Sequence, residues 1–179
     1  MLITADDFKL YISLNTSNYD DVIEVLISGA VRWIEAIANN KIKEDDVVEY
    51  FDGYEIDDDI FLENSLNIKT LVVQRETGGS WIDIPDSKYT LYPREGIIKL
   101  DQVIGGERNY KISYKAGFTT ADLPKDLKLA ILRMVGALWN KRKSDGIKME
   151  NLGDAGVTWE SYLSQDILAI LSKYKKFNI

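Results

Sequence analysis

Ser87–Lys143 reads SKYTLYPREGIIKLDQVIGGERNYKISYKAGFTTADLPKDLKLAILRMVGALWNKRK, and the period of its apolar residues changes once along that stretch. Up to Gly117 apolar and polar residues alternate in short runs, the pattern of strands with one buried face. After Leu123 the spacing becomes helical: Leu127, Ala130, Ile131, Met134, Val135, Leu138 and Trp139 make one continuous stripe. Pro124 is expected at the first helical position, where its missing N–H has no intrahelical partner to lose. Asp126 in the first turn and Lys141-Arg142-Lys143 in the last both suit the helix dipole.

Working back from this switch, the chain begins helical and then turns to strands. Thr4 and Asp7 form a capping-box pattern, with Asp in place of the usual Glu, ahead of Phe8, Tyr11 and Ile12. Ser17 or Asn18 is the expected cap of a second helix over Tyr19–Ala38, whose stripe is Ile23, Leu26, Ile27, Ala30, Ile34 and Ile37. Val22, Val25, Val31 and Trp33 make that helix apolar beyond a single face, so it sits inside its own core or is shared with a neighbouring subunit. Asn39-Asn40 ends it, since Asn tolerates the left-handed conformation.

Short β segments follow at Val47–Phe51, Ile60–Leu62, Ile68–Arg75, Trp81–Ile84, Tyr89–Tyr92, Gly96–Leu100 and Asn109–Ala116, with a hairpin turn at Thr77-Gly78-Gly79-Ser80. Leu71, Val72 and Val73 are expected to be buried. This spacing predicts a small antiparallel sheet or a partly closed barrel. The fold class is therefore α+β: a helical bundle from both chain ends with an inserted β subdomain. The boundaries fall at 1–46, 47–117 and 118–179. Ser144–Thr158 reads as a long loop, and Ser164 as the start of a last helix carrying Ile167, Leu168, Ile170 and Leu171.

Composition removes whole classes of chemistry. The 179 residues contain no cysteine and no histidine, so thiolate nucleophiles, Cys-based metal sites and the commonest general base are all missing. No nucleophile elbow or phosphate loop occurs. Asp52, Glu55 and Asp57-Asp58-Asp59 are the one metal-like cluster. They miss the calcium-loop spacing, because Asp57 stands where that loop needs glycine and Glu63 matches its last ligand only loosely, so a solvated loop is expected. No catalytic, cofactor or metal residue is assigned. No apolar run spans a bilayer and no signal-peptide pattern opens the chain, so assembly in a cytoplasm, away from membranes, is the expectation.

The combination resembles a known family. Tyr89-Thr90-Leu91, then Arg94–Leu100, then Ile112-Ser113-Tyr114-Lys115-Ala116-Gly117-Phe118 are similar to the end of the β subdomain in phage head–tail connector (adaptor) proteins. Leu123-Pro124-Lys125-Asp126-Leu127-Lys128 and Ala130-Ile131 are similar to the proline-started helix that follows it, and the order of elements fits from Met1 to Ile179. The resemblance implies a virion structural protein of the neck, not an enzyme, that forms a homo-oligomeric ring between portal and tail. Its implied partners are the portal protein and a head-completion or tail protein, with DNA passing through without tight binding.

The tail of basic residues after a tyrosine is also similar to that family's end. A portal contact is thus expected at Tyr162, Ile167, Leu171, Lys173, Tyr174, Lys175, Lys176 and Phe177, on a segment that either swings relative to the core and settles on a partner or docks as an ordered helix on its own subunit. Subunit contacts are expected at Val25, Trp33, Ile37 and Trp139. Two other readings stay open. One is a different neck protein, a head-completion stopper or a tail terminator. The other is a small prophage-encoded enzyme or binding module, which a deep carboxylate-lined pocket would mark.

A net charge of −7 leaves little to gain from counterion release on DNA. The isolated chain should therefore show no hydrolytic activity, and its binding to labelled duplex DNA, followed by fluorescence anisotropy, should vanish at physiological salt. A submicromolar affinity under those conditions would contradict this reading.

Overall fold

Thr4 opens the first helix with a reciprocal pair of bonds: its hydroxyl accepts from the Asp7 N–H at 3.2 Å, and the Asp7 carboxylate accepts from the Thr4 N–H at 2.9 Å. The structure, a computed structural model, describes residues 2–142, 150–152, 155–157 and 164–176. Its helices are α1 (Ala5–Tyr11), α2 (Asp20–Ala38), α3 (Lys125–Lys141) and α4 (Gln165–Leu171).

Two helix starts differ by a residue or two from expectation. The cap of α2 is Tyr19, not Ser17 or Asn18, and it makes no side-chain capping bond; its ring instead meets Trp139 edge-on at 5.4 Å. Packing decides that boundary where hydroxyl or amide capping was expected. Pro124 stands one position before α3, with ψ of 138°, and its carbonyl accepts the first helical bond from Lys128 at 2.9 Å. Asn39 does end α2 in the left-handed conformation.

The stripes on these helices meet. Ile23, Ile27 and Ile34 of α2, Leu127, Ile131 and Met134 of α3, Phe8 of α1, and Ile167 and Leu171 of α4 belong to one buried cluster. None of the described helices is long and apolar enough to cross a membrane.

The strands are β1 (Asp45–Phe51), β2 (Asp59–Phe61), β3 (Lys69–Thr77), β4 (Ser80–Asp83), β5 (Tyr89–Tyr92), β6 (Ile97–Leu100) and β7 (Tyr110–Ala116). They form a four-stranded sheet in the order β1-β7-β3-β4 and a three-stranded sheet in the order β2-β6-β5, with every pairing antiparallel. A second buried cluster joins the two sheets, from Val73, Tyr110, Ile112 and Tyr114 on one to Ile60, Ile98 and Leu100 on the other. Strand β7 shows the alternation plainly: Tyr110, Ile112, Tyr114 and Ala116 are buried, while Lys111, Ser113 and Lys115 are half-exposed. Within Ser144–Thr158, expected as loop throughout, the backbone pairs β8 (Glu150–Leu152) with β9 (Ala155–Val157).

At the passage from β7 toward α3, Gly117 takes φ of +99° against the backbone of Lys43, and a methyl group there would lie 2.6 Å from the Lys43 carbonyl carbon. Gly78, in the β3–β4 turn, also has positive φ but open space around it. Gly117→Ala should cost clearly more stability than Gly78→Ala, by about 1–3 kcal/mol in urea unfolding, because the Lys43–Glu44 backbone it would meet cannot move aside like a side chain. Equal midpoints for the two variants would show that the Lys43 contact gives way.

Candidate interaction surfaces

The C-terminal segment is tied to its own subunit at three places. The Tyr174 hydroxyl donates to Asp126 at 2.6 Å, Lys173 donates to the same carboxylate at 3.1 Å, and the Tyr174 ring meets Phe118 edge-on at 6.3 Å. Beyond these, the Lys176 N–H donates to the Ala38 carbonyl at 2.8 Å, and its ammonium donates to the Leu62 carbonyl at 2.7 Å. The Tyr174 bond, helped by Lys173, holds the Asp126 carboxyl below the usual carboxylate range; burial and that same bond push the Tyr174 hydroxyl up. Arg133 of α3 pairs with Asp166 of α4.

Of the two arrangements expected for this segment, the structure has the docked one. Ile167 and Leu171 are 3% and 1% exposed, so in the single chain both belong to the internal core. Lys175 and Lys173 stay exposed, and Leu168 is the large apolar residue that α4 turns outward. Tyr162 and Phe177 lie outside the described residues.

The residues expected between subunits also divide. Val25 is 70% exposed and Trp33 is exposed beside it. Ile37 is half-buried against the helical cluster. Trp139 is buried, with its indole edge-on to Phe8 at 6.0 Å and the Arg142 guanidinium 3.4 Å from its ring centroid. That indole is therefore used within the subunit, a correction that the one-dimensional stripe could not supply.

Of two exposed apolar faces, the one on α2 was foreshadowed by the sequence and the one on the sheet was not. On α2, Val22 and Gly29 join Val25 and Trp33 on one exposed face. On the four-stranded sheet, Val48, Tyr50, Val72 and Trp81 point out of the sandwich rather than into it. Val72 was expected to be buried; it pairs with outward Ser113, which fixes it on the open face. The signal for Tyr50 was present in the alternation of Val48 and Tyr50 with Val47, Glu49 and Phe51.

Two partly buried carboxylates, Glu49 and Glu35, are engaged in holding the chain together. The Glu49 carboxylate accepts from the Glu63 N–H at 3.1 Å and from the Tyr114 hydroxyl; burial raises its pKa against these bonds. An open cleft of about 400 Å³ between α2 and the start of β1 includes Glu35, but that carboxylate already accepts from the Ile42 and Lys43 N–H groups at 3.0 and 3.1 Å. Among the described residues no group of three or more Asp and Glu is placed to hold a metal ion, the Asp57-Asp58-Asp59 run included.

A family model described as head completion protein matches residues 1–177. The chain belongs to the head completion protein family. No curated protein matches it. Solved structures similar to this head completion protein include a chain in the neck of an empty gene transfer agent (GTA) particle computed with C6 symmetry, at a TM-score of 0.70 and 14% identity, covering 99% of this chain and 91% of that one. A chain in the neck of a native GTA particle computed with C12 symmetry gives 0.65 at 14% identity, over 98% and 89%. A chain of the native GTA virion gives 0.66, also at 14% identity, over 99% and 91%. At such identities the likeness is one of fold.

Removing the hydroxyl that anchors the tail of this head completion protein should be measurable. Tyr174→Phe should lower stability by about 1.5–3 kcal/mol at neutral pH, the worth of one hydrogen bond to a charged group. Asp126 has a depressed pKa, so its contribution is present above the unfolded value and lost as pH falls through the folded one. The deficit should therefore narrow in strongly acidic urea titrations; an unchanged midpoint at neutral pH would mean the bond contributes nothing.

Proposed function

We propose that this chain is a structural subunit of the neck of a tailed phage or phage-like particle, placed between head and tail in a homo-oligomeric ring through which DNA passes. The observation that carries this reading is the head completion family model spanning residues 1–177. Near full-length likeness of fold to chains in GTA necks, one computed with C6 and one with C12 symmetry, supports the ring. A charge of −7 suits a wall past which DNA moves without adhering. The role needs no catalysis, and assembly would take place in the host cytoplasm.

On this reading residues 1–46 and 118–179 build one helical bundle and 47–117 form a β subdomain inserted between them. The portal contact falls to the outer side of the C-terminal segment, at Leu168, Lys173 and Lys175; Tyr162 and Phe177, also expected there, lie outside the described residues. Tyr174 and Lys176 hold that segment in place for docking. Subunit contacts use the exposed face of α2 around Val25 and Trp33, with Ile37 at its inner border.

Cryo-electron microscopy of particles that carry the chain with a small fused tag tests this directly. Tag density should appear as a ring between portal and tail. Density distributed over the capsid lattice or along the tail tube would overturn the assignment.

A further inference from the structure

The outer face of the β1-β7-β3-β4 sheet is uncovered and apolar at its centre. Register sets Val48, Ser113 and Val72 side by side, and next to them Tyr50, Lys111, Gln74 and Asp83. Val48 is 51% exposed and Val72 40%, and the Tyr50 and Trp81 rings lie 5.8 Å apart. An antiparallel sheet that faces water normally turns polar residues outward, so a patch of this kind marks a contact. Lys111 lies at its middle, its ammonium 5.8 Å from the centroid of Trp81, and it makes no ion pair with a carboxylate among the described residues.

The helical part offers the opposite surface. Val22, Val25, Gly29 and Trp33 recur at helical spacing on the face of α2 turned away from its own core. Gly29 has nothing within 4 Å of where a side chain would start, although glycine inside a helix costs about 1 kcal/mol against alanine. Asp21 and Glu24 flank this stripe and make no ion pair among the described residues.

We propose that the outer face of α2 in one copy lies across the outer face of the four-stranded sheet in the next copy, with Asp21 and Glu24 toward Lys111. A helix laid on a bare sheet is the ordinary way for both to lose apolar surface to water, and Gly29 lets the helix approach closely. The charges are complementary, and none of them has an ion-pair partner among the described residues. The two faces differ, so the contact is heterologous: every copy keeps one face of each kind, and repetition extends past a dimer, into a ring where the rotation closes. This inference rests on the ring reading above and adds which surfaces meet.

The chain has no cysteine, which allows a clean cross-linking test on the full-length protein. Val25→Cys and Val48→Cys are made singly and together, treated with a short bismaleimide, and resolved by denaturing electrophoresis; native mass spectrometry gives the assembly state of the unaltered chain. The double variant should form a ladder past the dimer, each single variant alone should stay monomeric, and the two singles mixed should stop at a dimer. Glu24→Lys or Lys111→Glu in the double-cysteine chain should each suppress the ladder, and both together should restore it. Dimers from Val25→Cys alone, or a ladder indifferent to either charge reversal, would overturn the pairing. An unaltered chain that assembles while the double variant gives no ladder would overturn it and leave the ring standing. A monomeric unaltered chain with no ladder would overturn both.

Discussion

Three buried polar side chains decide how the helices and the strands sit against each other. Asn40, just past the end of α2, donates its amide to the Ser65 hydroxyl and accepts the Ser65 N–H, both at 3.0 Å. The neighbouring Asn64 accepts the Lys41 N–H at 3.1 Å, and its own N–H donates to the Tyr114 hydroxyl at 3.1 Å. All three side chains are at most 7% exposed, so none could exchange its bonds for water if the two parts rotated. A buried amide without a partner costs about 1–3 kcal/mol, which makes the satisfied arrangement strongly preferred over nearby ones. Gly96, with φ of +68°, belongs to the same constraint, because a side chain there would strike Ser65 at 2.6 Å.

Electrostatics at this junction works in opposing senses. Glu49 has a raised pKa, so its contribution is fullest below the unfolded value and is lost as pH rises through the folded one. Asp122, which accepts from Lys69 at 2.6 Å, Asn67 at 2.8 Å and the Thr119 hydroxyl at 2.6 Å, is held well below the usual range and contributes above its unfolded value. Lys176 draws Glu49 back toward ionisation while its ammonium is bonded to the Leu62 carbonyl. The charged groups around the junction therefore favour different pH ranges, while its neutral amides and hydroxyl hold throughout.

The sequence conveyed periodicity well and three-dimensional neighbours poorly. The α+β class, the stripes of α2 and α3, the Thr4–Asp7 capping box and the Gly78-Gly79 hairpin were legible, because each depends on residues close in sequence. Trp139 and Leu171 were expected at interfaces, since a stripe reports that a face is apolar and not what covers it. Val72 was misread for a related reason: three consecutive apolar residues hide the alternation that would reveal which one faces out. The polar junction was invisible, because Asn40 and Ser65 lie far apart along the chain and Asn is an ordinary loop residue. A docked tail was one of two arrangements the sequence left open, but its anchors were not legible, because a lysine seeking a carbonyl looks like any solvated lysine.

The helical cluster draws on both ends of the chain, while the residues of the sheet cluster, from Ile60 to Ala116, are contiguous. During synthesis, α1 and α2 must leave the ribosome and wait, apolar stripe uncovered, until the whole strand region and then α3 have been made. The strands can pair meanwhile, since every partner they need has already emerged. Translation order thus leaves the longest helix exposed for the longest time, and the same nascent chain holds two unfinished surfaces that fit apolar partners. A pause or truncation after the strands would yield a species whose most complete part is folded and whose most adhesive part is not.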